Sequence, residues 1–212
     1  MSTASLTTTS YAILGLLAIK PWTTYELTQQ MDRSLGRIWP RATSKIYEEP
    51  KKLVAEGLAR SSKQTFGRRT RTVYAITAKG RRALAAWLTE PGAGPGLEFE
   101  QLLKIFFSEN GTKADALRTL AATKDWARER AAESLAVGRA YLADEGPFPE
   151  RAPQLELTSR FITDFYAFVG EWASWASGLV EDWPADPRKA QPDPANAEET
   201  VRRAAEAAGE PL

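Results

Sequence analysis

Residues 42–77 read ATSKIYEEPKKLVAEGLARSSKQTFGRRTRTVYAIT, and this stretch decides the fold. Its first part predicts a short basic helix over 44–56 that ends at Gly57, because glycine readily adopts the left-handed conformation that closes a helix. Its second part predicts a β-hairpin, with a polar extended segment, a turn formed by Gly67, Arg68 and Arg69, and a β-branched and aromatic strand over 72–77. A basic helix followed by a basic hairpin indicates a winged helix-turn-helix. The alternative is a solvated hairpin beside an ordinary helix.

Pro50 lies inside the predicted helix, where proline removes one backbone hydrogen bond and costs about 3 kcal/mol. Two geometries accommodate it. The helix continues through this position with a bend, or the regular helix begins at Pro50, because proline is favourable in a first turn. We favour the bent continuous helix, because it keeps Tyr47 on the same element as Lys51 and Lys52.

The sequence of 212 residues contains no cysteine and no histidine. Their absence excludes disulfides, thiolate-bound zinc and a thiol nucleophile, and it removes the most common general base and metal ligand. We therefore expect no metal, no cofactor and no enzymatic activity. A small enzyme whose site is built from carboxylates remains an alternative.

Charge is distributed unevenly along the chain, although the formal net charge is only +1. Residues 1–90 carry 15 Lys and Arg against 6 Asp and Glu, a net charge of +9, whereas residues 91–212 carry 13 against 21, a net charge of −8. The basic part predicts a domain that binds a polyanion. No apolar run approaches the ~20 residues that a membrane span requires, and no signal-peptide pattern opens the chain, so we expect a cytoplasmic protein without a membrane partner.

The remaining segments predict a mostly α-helical fold. Residues 11–19 have the composition of a compact apolar helix, and Thr23 followed by Glu26 is typical of a capping box that starts a second helix. The expected architecture is an N-terminal winged helix-turn-helix domain with a two-stranded wing, followed by an all-α dimerisation domain. The predicted divisions are the DNA-binding domain at 1–90, a Pro- and Gly-rich linker at 91–97, the helical domain at 98–182, and a tail at 183–212 that is weakly ordered or a short detached helix.

Two helical patterns in the second domain carry closely spaced apolar side chains. The later pattern places aromatic rings at i, i+4, i+7 and i+11, which core packing or dimer packing explains. Because such stripes expose too much apolar surface for a monomer, we expect a homodimer. The predicted dimer contacts are Phe99, Leu102, Leu103, Phe106, Phe161, Phe165, Phe168 and Trp172. A second interpretation is a pocket for a hydrophobic or aromatic effector, lined by Trp126, Phe165, Trp172 and Trp175.

Candidate DNA contacts lie on the polar side of the 44–56 helix and at the hairpin tip. The expected base readers are Ser44, Lys45, Tyr47 and Lys51. The expected phosphate contacts are Tyr25, Arg41 and Lys52. Arg68, Arg69 and Arg71 are expected to follow the DNA backbone or enter a narrow minor groove. Tyr47 has an alternative role in completing the small core, since tyrosine is often half-buried.

Four motifs occur in an order that resembles the PadR family of bacterial transcriptional regulators, over residues 8 to about 180. They are ILGLLAIKPWTTYEL at 13–27, SKIYEEPKKLVAEGLA at 44–59, GRRTRTVYAIT at 67–77 and TAKGRRALAAWL at 77–88. Thr23 and Thr24 stand where the family more usually has His-Gly, and Pro50 departs from the generic helix pattern.

The resemblance implies a sequence-specific DNA-binding regulator with a multi-helical C-terminal domain whose helices exchange between subunits. We expect a repressor that binds an inverted-repeat operator in double-stranded DNA as a homodimer and is released by a small hydrophobic or aromatic effector near the dimer interface. The alternative is a winged-helix module that binds proteins and not DNA.

Overall fold

The computed structural model describes residues 6–40, 45–66 and 69–211, with the backbone alone at Phe66 and Arg69. The chain divides into two compact units between Pro95 and Gly96, a boundary that falls within the predicted linker. The helices and strands of the N-terminal unit are α1 (Thr8–Ile19), β1 (Trp22–Thr23), α2 (Thr24–Arg33), α3 (Glu49–Ala55), β2 (Ala59–Phe66), β3 (Arg69–Ile76) and α4 (Ala78–Trp87).

Helices α1, α2 and α3 enclose a small apolar core in the N-terminal unit. Its fully buried large side chains include Ile13, Leu14, Leu17, Leu27, Met31, Ile46 and Leu53. The sheet has the order β1-β3-β2 and is antiparallel throughout. The two long strands are the predicted wing, and the short β1 adds a third strand through the pairs Trp22–Tyr74 and Thr23–Val73.

The predicted capping box starts α2. The backbone N–H of Glu26 donates to the Thr23 hydroxyl over 3.2 Å, and the Thr23 backbone N–H donates to the Glu26 carboxylate over 2.8 Å. The Thr23 amide and hydroxyl lower the pKa of Glu26, because hydrogen bonds to the ionised carboxylate favour that form. A second box, between Thr7 and Ser10, starts α1.

Pro50 does not bend a continuous helix, so the geometry that we favoured from the sequence is wrong. Residues 46–48 form a turn, and α3 begins at Glu49 with Pro50 in its first turn. Proline fits there because the first backbone amides of a helix have no partner within the helix. The Glu48 carbonyl accepts from the amides of Lys51 and Lys52 over 3.1 and 3.2 Å. The start predicted at Ser44 lies outside the described residues.

The end of α3 is fixed against α4. Gly57 has φ of 69°, and the Leu58 amide donates to the Leu53 carbonyl over 2.8 Å, as in a Schellman motif. The Thr77 hydroxyl lies 2.8 Å from the Gly57 carbonyl, to which it donates. A Cβ atom at Gly80 would lie 2.1 Å from the Leu58 carbonyl oxygen, so only glycine allows this approach.

The second unit is built on a long antiparallel hairpin of two 30-residue helices. Its helices are α5 (Glu100–Phe106), α6 (Lys113–Leu142), α7 (Ala152–Glu181) and α8 (Pro194–Ala208). One cluster of buried side chains joins α6 and α7, and it consists of Ala116, Leu120, Ala173, Ala176 and Val180, with Trp172 and Trp183 packed against it. The Lys113 ammonium donates to the carbonyls of Glu181 and Trp183, which ties the start of α6 to the end of α7.

The aromatic stripe of α7 does not form this core, so the core-packing explanation is wrong for its outer members. Phe161 and Phe168 are 65% and 59% exposed, whereas small side chains face α6. A Cβ at Gly170 would lie 3.4 Å from the Ala127 Cβ, which shows how closely the helices approach. Large rings do not fit at this point of close approach.

The tail after the helical hairpin contains one further helix. Residues 194–208 form α8, in line with the alternative of a short helix. The Asp193 side chain caps its first turn, Pro194 occupies a position that favours proline, and Gly209 closes the helix with φ of 70°. No helix within residues 6–40, 45–66 and 69–211 has the length and apolar character needed to cross a membrane.

Candidate nucleic-acid interface

The start of α2 and the wing lie side by side. Strand β1 pairs with β3 and leads directly into α2, so Tyr25 follows the paired strand by two residues. The positive charges of Lys20 and Arg71 lower the pKa of Glu26 further, in addition to the larger effect of Thr23. The side chain of Arg71 therefore lies near the start of α2.

Tyr25 itself is 62% exposed at this position. Its hydroxyl accepts a hydrogen bond from the Gln29 side chain over 2.9 Å, one helical turn further along α2. The phenol is thus held outward with an oriented hydroxyl, and that hydroxyl can still donate to a phosphate oxygen.

Residues 45–56, hereafter the recognition segment, present a polar face outside the core. Lys45, Tyr47 and Lys51 are exposed, whereas Ile46 and Leu53 are fully buried. Tyr47 is 61% exposed, so the alternative that it completes the core is wrong. Its phenol is exposed to solvent, as are the side chains of Lys45 and Lys51.

Two of the predicted lysine contacts are paired with neighbouring carboxylates. Lys45 Nζ lies 3.6 Å from Glu48, and Lys52 Nζ lies 3.3 Å from Glu49. No carboxylate in the part of the chain that the structure describes pairs with Lys51. The recognition segment holds three lysines and three glutamates, so the positive charge of the N-terminal unit comes from elsewhere, above all from the wing.

A buried polar contact sets the position of the recognition segment. Ser10 is fully buried, and its hydroxyl donates to the Glu49 carboxylate, which is itself 8% exposed. The Thr7 amide donates to the same Ser10 oxygen over 3.0 Å. This contact joins the start of α1 to the start of α3, and the two residues are 39 positions apart in the sequence. It was not predicted, because no local sequence pattern marks Ser10 or Glu49.

The strands of the wing carry exposed basic side chains in addition to those predicted at its tip. Arg71 pairs with Gln64 in the strand register, and directly opposed residues of an antiparallel pair share one face of the sheet. Arg60 and Lys63, which the sequence analysis did not single out, are also exposed on β2. Arg68, Arg41 and Ser44 lie outside the described residues, and Arg69 is described by its backbone alone.

The residues of the helical unit that were predicted to form the dimer contact differ in how exposed they are. Leu103, Phe106, Phe161 and Phe168 are exposed, whereas Phe99, Leu102, Phe165 and Trp172 are half-buried. Phe99 packs edge-on against Trp172 with 6.2 Å between ring centroids. This contact fixes the segment before α5 against α7 within one chain.

The four rings predicted to line an effector pocket have different surroundings. Trp126 packs edge-on against Tyr166 at 5.4 Å, and Phe165 lies 6.0 Å from the same ring. Trp172 packs on Phe99, and Trp175 is 51% exposed. Tyr166, which is 4% exposed and was not among the predicted residues, joins only Trp126 and Phe165.

The N-terminal unit has the architecture of winged helix-turn-helix proteins, with α2 and the recognition segment beside a basic wing. Residues 13–86 match the transcriptional regulator PadR-like family. The resemblance seen in the motifs is therefore confirmed for this part of the chain.

Two curated relatives match the same part of the chain. The negative transcriptional regulator PadR of Bacillus subtilis is 33% identical over 99 residues, which are 46% of this chain and 54% of that protein. The probable transcriptional regulator Rv1176c of Mycobacterium tuberculosis is 34% identical over 82 residues, which are 38% of this chain and 43% of that protein. The alignments thus span about half the length of these relatives.

Solved structures extend the likeness of fold beyond the matched domain. Bacillus subtilis PadR in complex with operator DNA has a TM-score of 0.70 and 22% identity, and the match covers 81% of this chain and 98% of that one. The same protein in complex with p-coumaric acid has a TM-score of 0.63. The predicted fold class, mostly α-helical with an N-terminal winged helix, is confirmed.

Proposed function

We propose that this protein is a transcriptional regulator that binds double-stranded DNA in a sequence-specific manner. The observation that carries the proposal is the exposed polar face of the recognition segment beside a basic wing, in a domain of the PadR-like family. Lys51 and Tyr47 are assigned as base readers, because they are exposed and have no competing role in the core. The wing arginines and Tyr25 are assigned as phosphate contacts.

A homodimer is the second part of the proposal. Residues 128–165 of the α6–α7 hairpin, hereafter the distal arm, contain no buried residue although the structure describes all of them. Their exposed large apolar side chains are Leu135, Val137, Leu142, Leu157 and Phe161. A second copy of the chain would cover this surface and set two recognition segments about 34 Å apart, or a multiple of that distance, on an inverted repeat.

Repression and release by a small molecule complete the proposal. The relative from Bacillus subtilis is named a negative transcriptional regulator, and its structures include complexes with operator DNA and with p-coumaric acid. For this chain we propose a planar aromatic effector near Trp126, Phe165, Trp172 and Trp175. The ligand must favour a dimer geometry that fits DNA poorly, because equal affinity for both geometries would shift nothing.

The same proposal gives the protein no enzymatic activity and places it in the cytoplasm, where a bacterial chromosome is accessible. Its domains would be those expected from the sequence, with DNA binding in residues 1–90 and dimerisation in residues 98–182. The neutral charge of the recognition segment favours a second candidate, a winged-helix module that binds a protein.

Selection of bound fragments from the source genome separates the two candidates. We expect the full-length protein to enrich a small set of fragments that share an inverted repeat, and light scattering to give the mass of a dimer. Gel shifts that show no preferred fragment at moderate salt would contradict the regulator and favour the protein-binding module. Tryptophan fluorescence with a panel of planar aromatic acids then tests the effector, followed by gel shifts with any compound that quenches it.

A further inference from the structure

Glu48 is an exposed carboxylate that folding does not explain. It precedes α3 as the N-cap residue, but its side chain makes no capping hydrogen bond, and helices prefer Ser, Thr, Asp or Asn at this position. Its side chain is 77% exposed. Its ion pair with the 59% exposed Lys45 adds little stability, since solvent screens such pairs.

The adjacent Glu49 shows what a structural glutamate looks like in the same segment. Glu49 is 8% exposed and accepts a hydrogen bond from the buried Ser10 hydroxyl. Glu48 faces the other way. It lies with Tyr47 and Lys51 on the exposed side of the recognition segment, and a spacing of three residues places Glu48 and Lys51 on one helical face.

A carboxylate on a face that meets DNA is repelled by phosphates and weakens binding to every sequence. Such a residue benefits recognition only where it discriminates between sequences. In the major groove, the N4 amino group of cytosine donates a hydrogen bond that a glutamate accepts. Lys45, with its Nζ 3.6 Å from the Glu48 carboxylate, would offset the charge as the carboxylate approaches the groove.

We propose that Glu48 is a specificity-determining residue that accepts a hydrogen bond from the N4 amino group of a cytosine in each half-site. This inference rests on the proposed DNA binding and names one chemical group that the recognition segment reads. Glutamine has the same shape as glutamate and pairs with adenine through N6 and N7. The variant Glu48→Gln should therefore lose the preference for cytosine or change it to adenine.

The experiment is selection from a pool of randomised duplex DNA with three full-length proteins: wild type, Glu48→Gln and Glu90→Gln. Glu90 is exposed, lies outside the matched domain and gives the same change in net charge, so it is the matched control. In the wild type and the control, exchanging the critical C·G pair for T·A should weaken binding about 5- to 150-fold. In Glu48→Gln the same exchange should cost less than about 5-fold.

Each outcome has one meaning. Loss of the cytosine preference in Glu48→Gln alone, with an unchanged melting temperature, supports the proposal. An identical motif in all three proteins overturns it, and so does an equal gain in affinity for all sequences in both variants, which would be a general effect of charge. If the wild type enriches no motif, the proposed DNA binding itself fails, and the role of Glu48 fails with it.

Discussion

The N-terminal unit buries large apolar side chains from three helices in one core, whereas the helical unit leaves about half of each of its two longest helices without a buried residue. In the first, residues from α1, α2 and α3 are fully buried around one core. In the second, burial on α6 ends at Ala127 and burial on α7 begins at Tyr166. The difference is that the first unit has a core of its own, whereas the distal arm has apolar side chains that the proposed dimer would cover.

The same contrast appears in the residue types. Leucine, isoleucine and methionine fill the N-terminal core, where helices cross around a small volume. The α6–α7 contact mixes alanine, threonine and serine with a few larger side chains, among them Leu120 and Tyr166, and it leaves Phe161 and Phe168 exposed. Close packing of small residues thus frees Phe161 and Phe168 for contact with another molecule.

The largest effect is expected from a substitution in the core of the N-terminal unit. Leu53→Ala should lower the free energy of unfolding by about 2–5 kcal/mol, because it removes a fully buried side chain and leaves a cavity. Leu88→Ala is the control, since Leu88 is 69% exposed in the same unit. Thermal and urea unfolding followed by circular dichroism measure both. Equal losses in the two variants would contradict the description of a self-contained core.

The second test concerns the distal arm. Phe161→Glu should raise the dissociation constant of the dimer by roughly 10- to 150-fold, which corresponds to losing about 1.5–3 kcal/mol of side-chain burial. The helices of the single chain should remain folded, because Phe161 is 65% exposed there. Light scattering over a range of concentrations gives the constant. Leu88→Glu, also at an exposed position, serves as the control, and an unchanged dimer in Phe161→Glu would exclude this face from the interface.

A third, smaller effect is expected from removing a buried polar contact in the N-terminal unit. Ser10→Ala should lower the free energy of unfolding by about 1–3 kcal/mol, because the buried Glu49 carboxylate loses the hydroxyl that donates to it. Ser62→Ala is the control at an exposed position of the wing. Urea unfolding measures the loss. A difference below the experimental error between the two variants would show that Glu49 does not depend on Ser10.

Local signals predicted the parts of the molecule that local chemistry determines. The capping box at Thr23 and Glu26 and the helix end at Gly57 depend on neighbouring residues, and both were found where the pattern placed them. The wing strands were also found, but β3 begins at Arg69, three residues before the predicted start. The family match confirms the class of protein that these elements define. Sequence was therefore sufficient for the winged-helix architecture of the N-terminal unit, but not for the start of α3 or for the third strand β1.

Contacts between distant residues could not be predicted in the same way. The Ser10–Glu49 contact spans 39 positions, and the choice between two geometries at Pro50 depends on where the chain enters α3. The spacing of the aromatic residues on α7 was visible in the sequence. Whether these rings face α6 or solvent depends on how closely the two helices approach each other. The roles of individual residues in binding DNA or a partner subunit stay predictions.

The smallest expected effect is the loss of stability at low pH from the capping boxes of the two units. The backbone and hydroxyl of Thr23 lower the pKa of Glu26, and the hydroxyl and backbone of Thr112 lower the pKa of Asp115. Because each carboxyl has a lower pKa in the folded chain, each contributes stability that is present above its ordinary pKa, near 4.5 or 3.8. That contribution is lost as the pH falls through the lowered value.

Glu26→Gln and Asp115→Asn should therefore lower the melting temperature at pH 7 and have less effect at pH 3, where the wild-type carboxyls also become protonated. Melting curves of both variants and the wild type between pH 3 and pH 7 measure this. Because Glu26 lies in the N-terminal unit and Asp115 on the helical hairpin, the two variants also report on the units separately. If the two units unfold independently, each variant should shift only the transition of its own unit. A single transition that both variants shift by equal amounts would show that the two units unfold together despite their different packing.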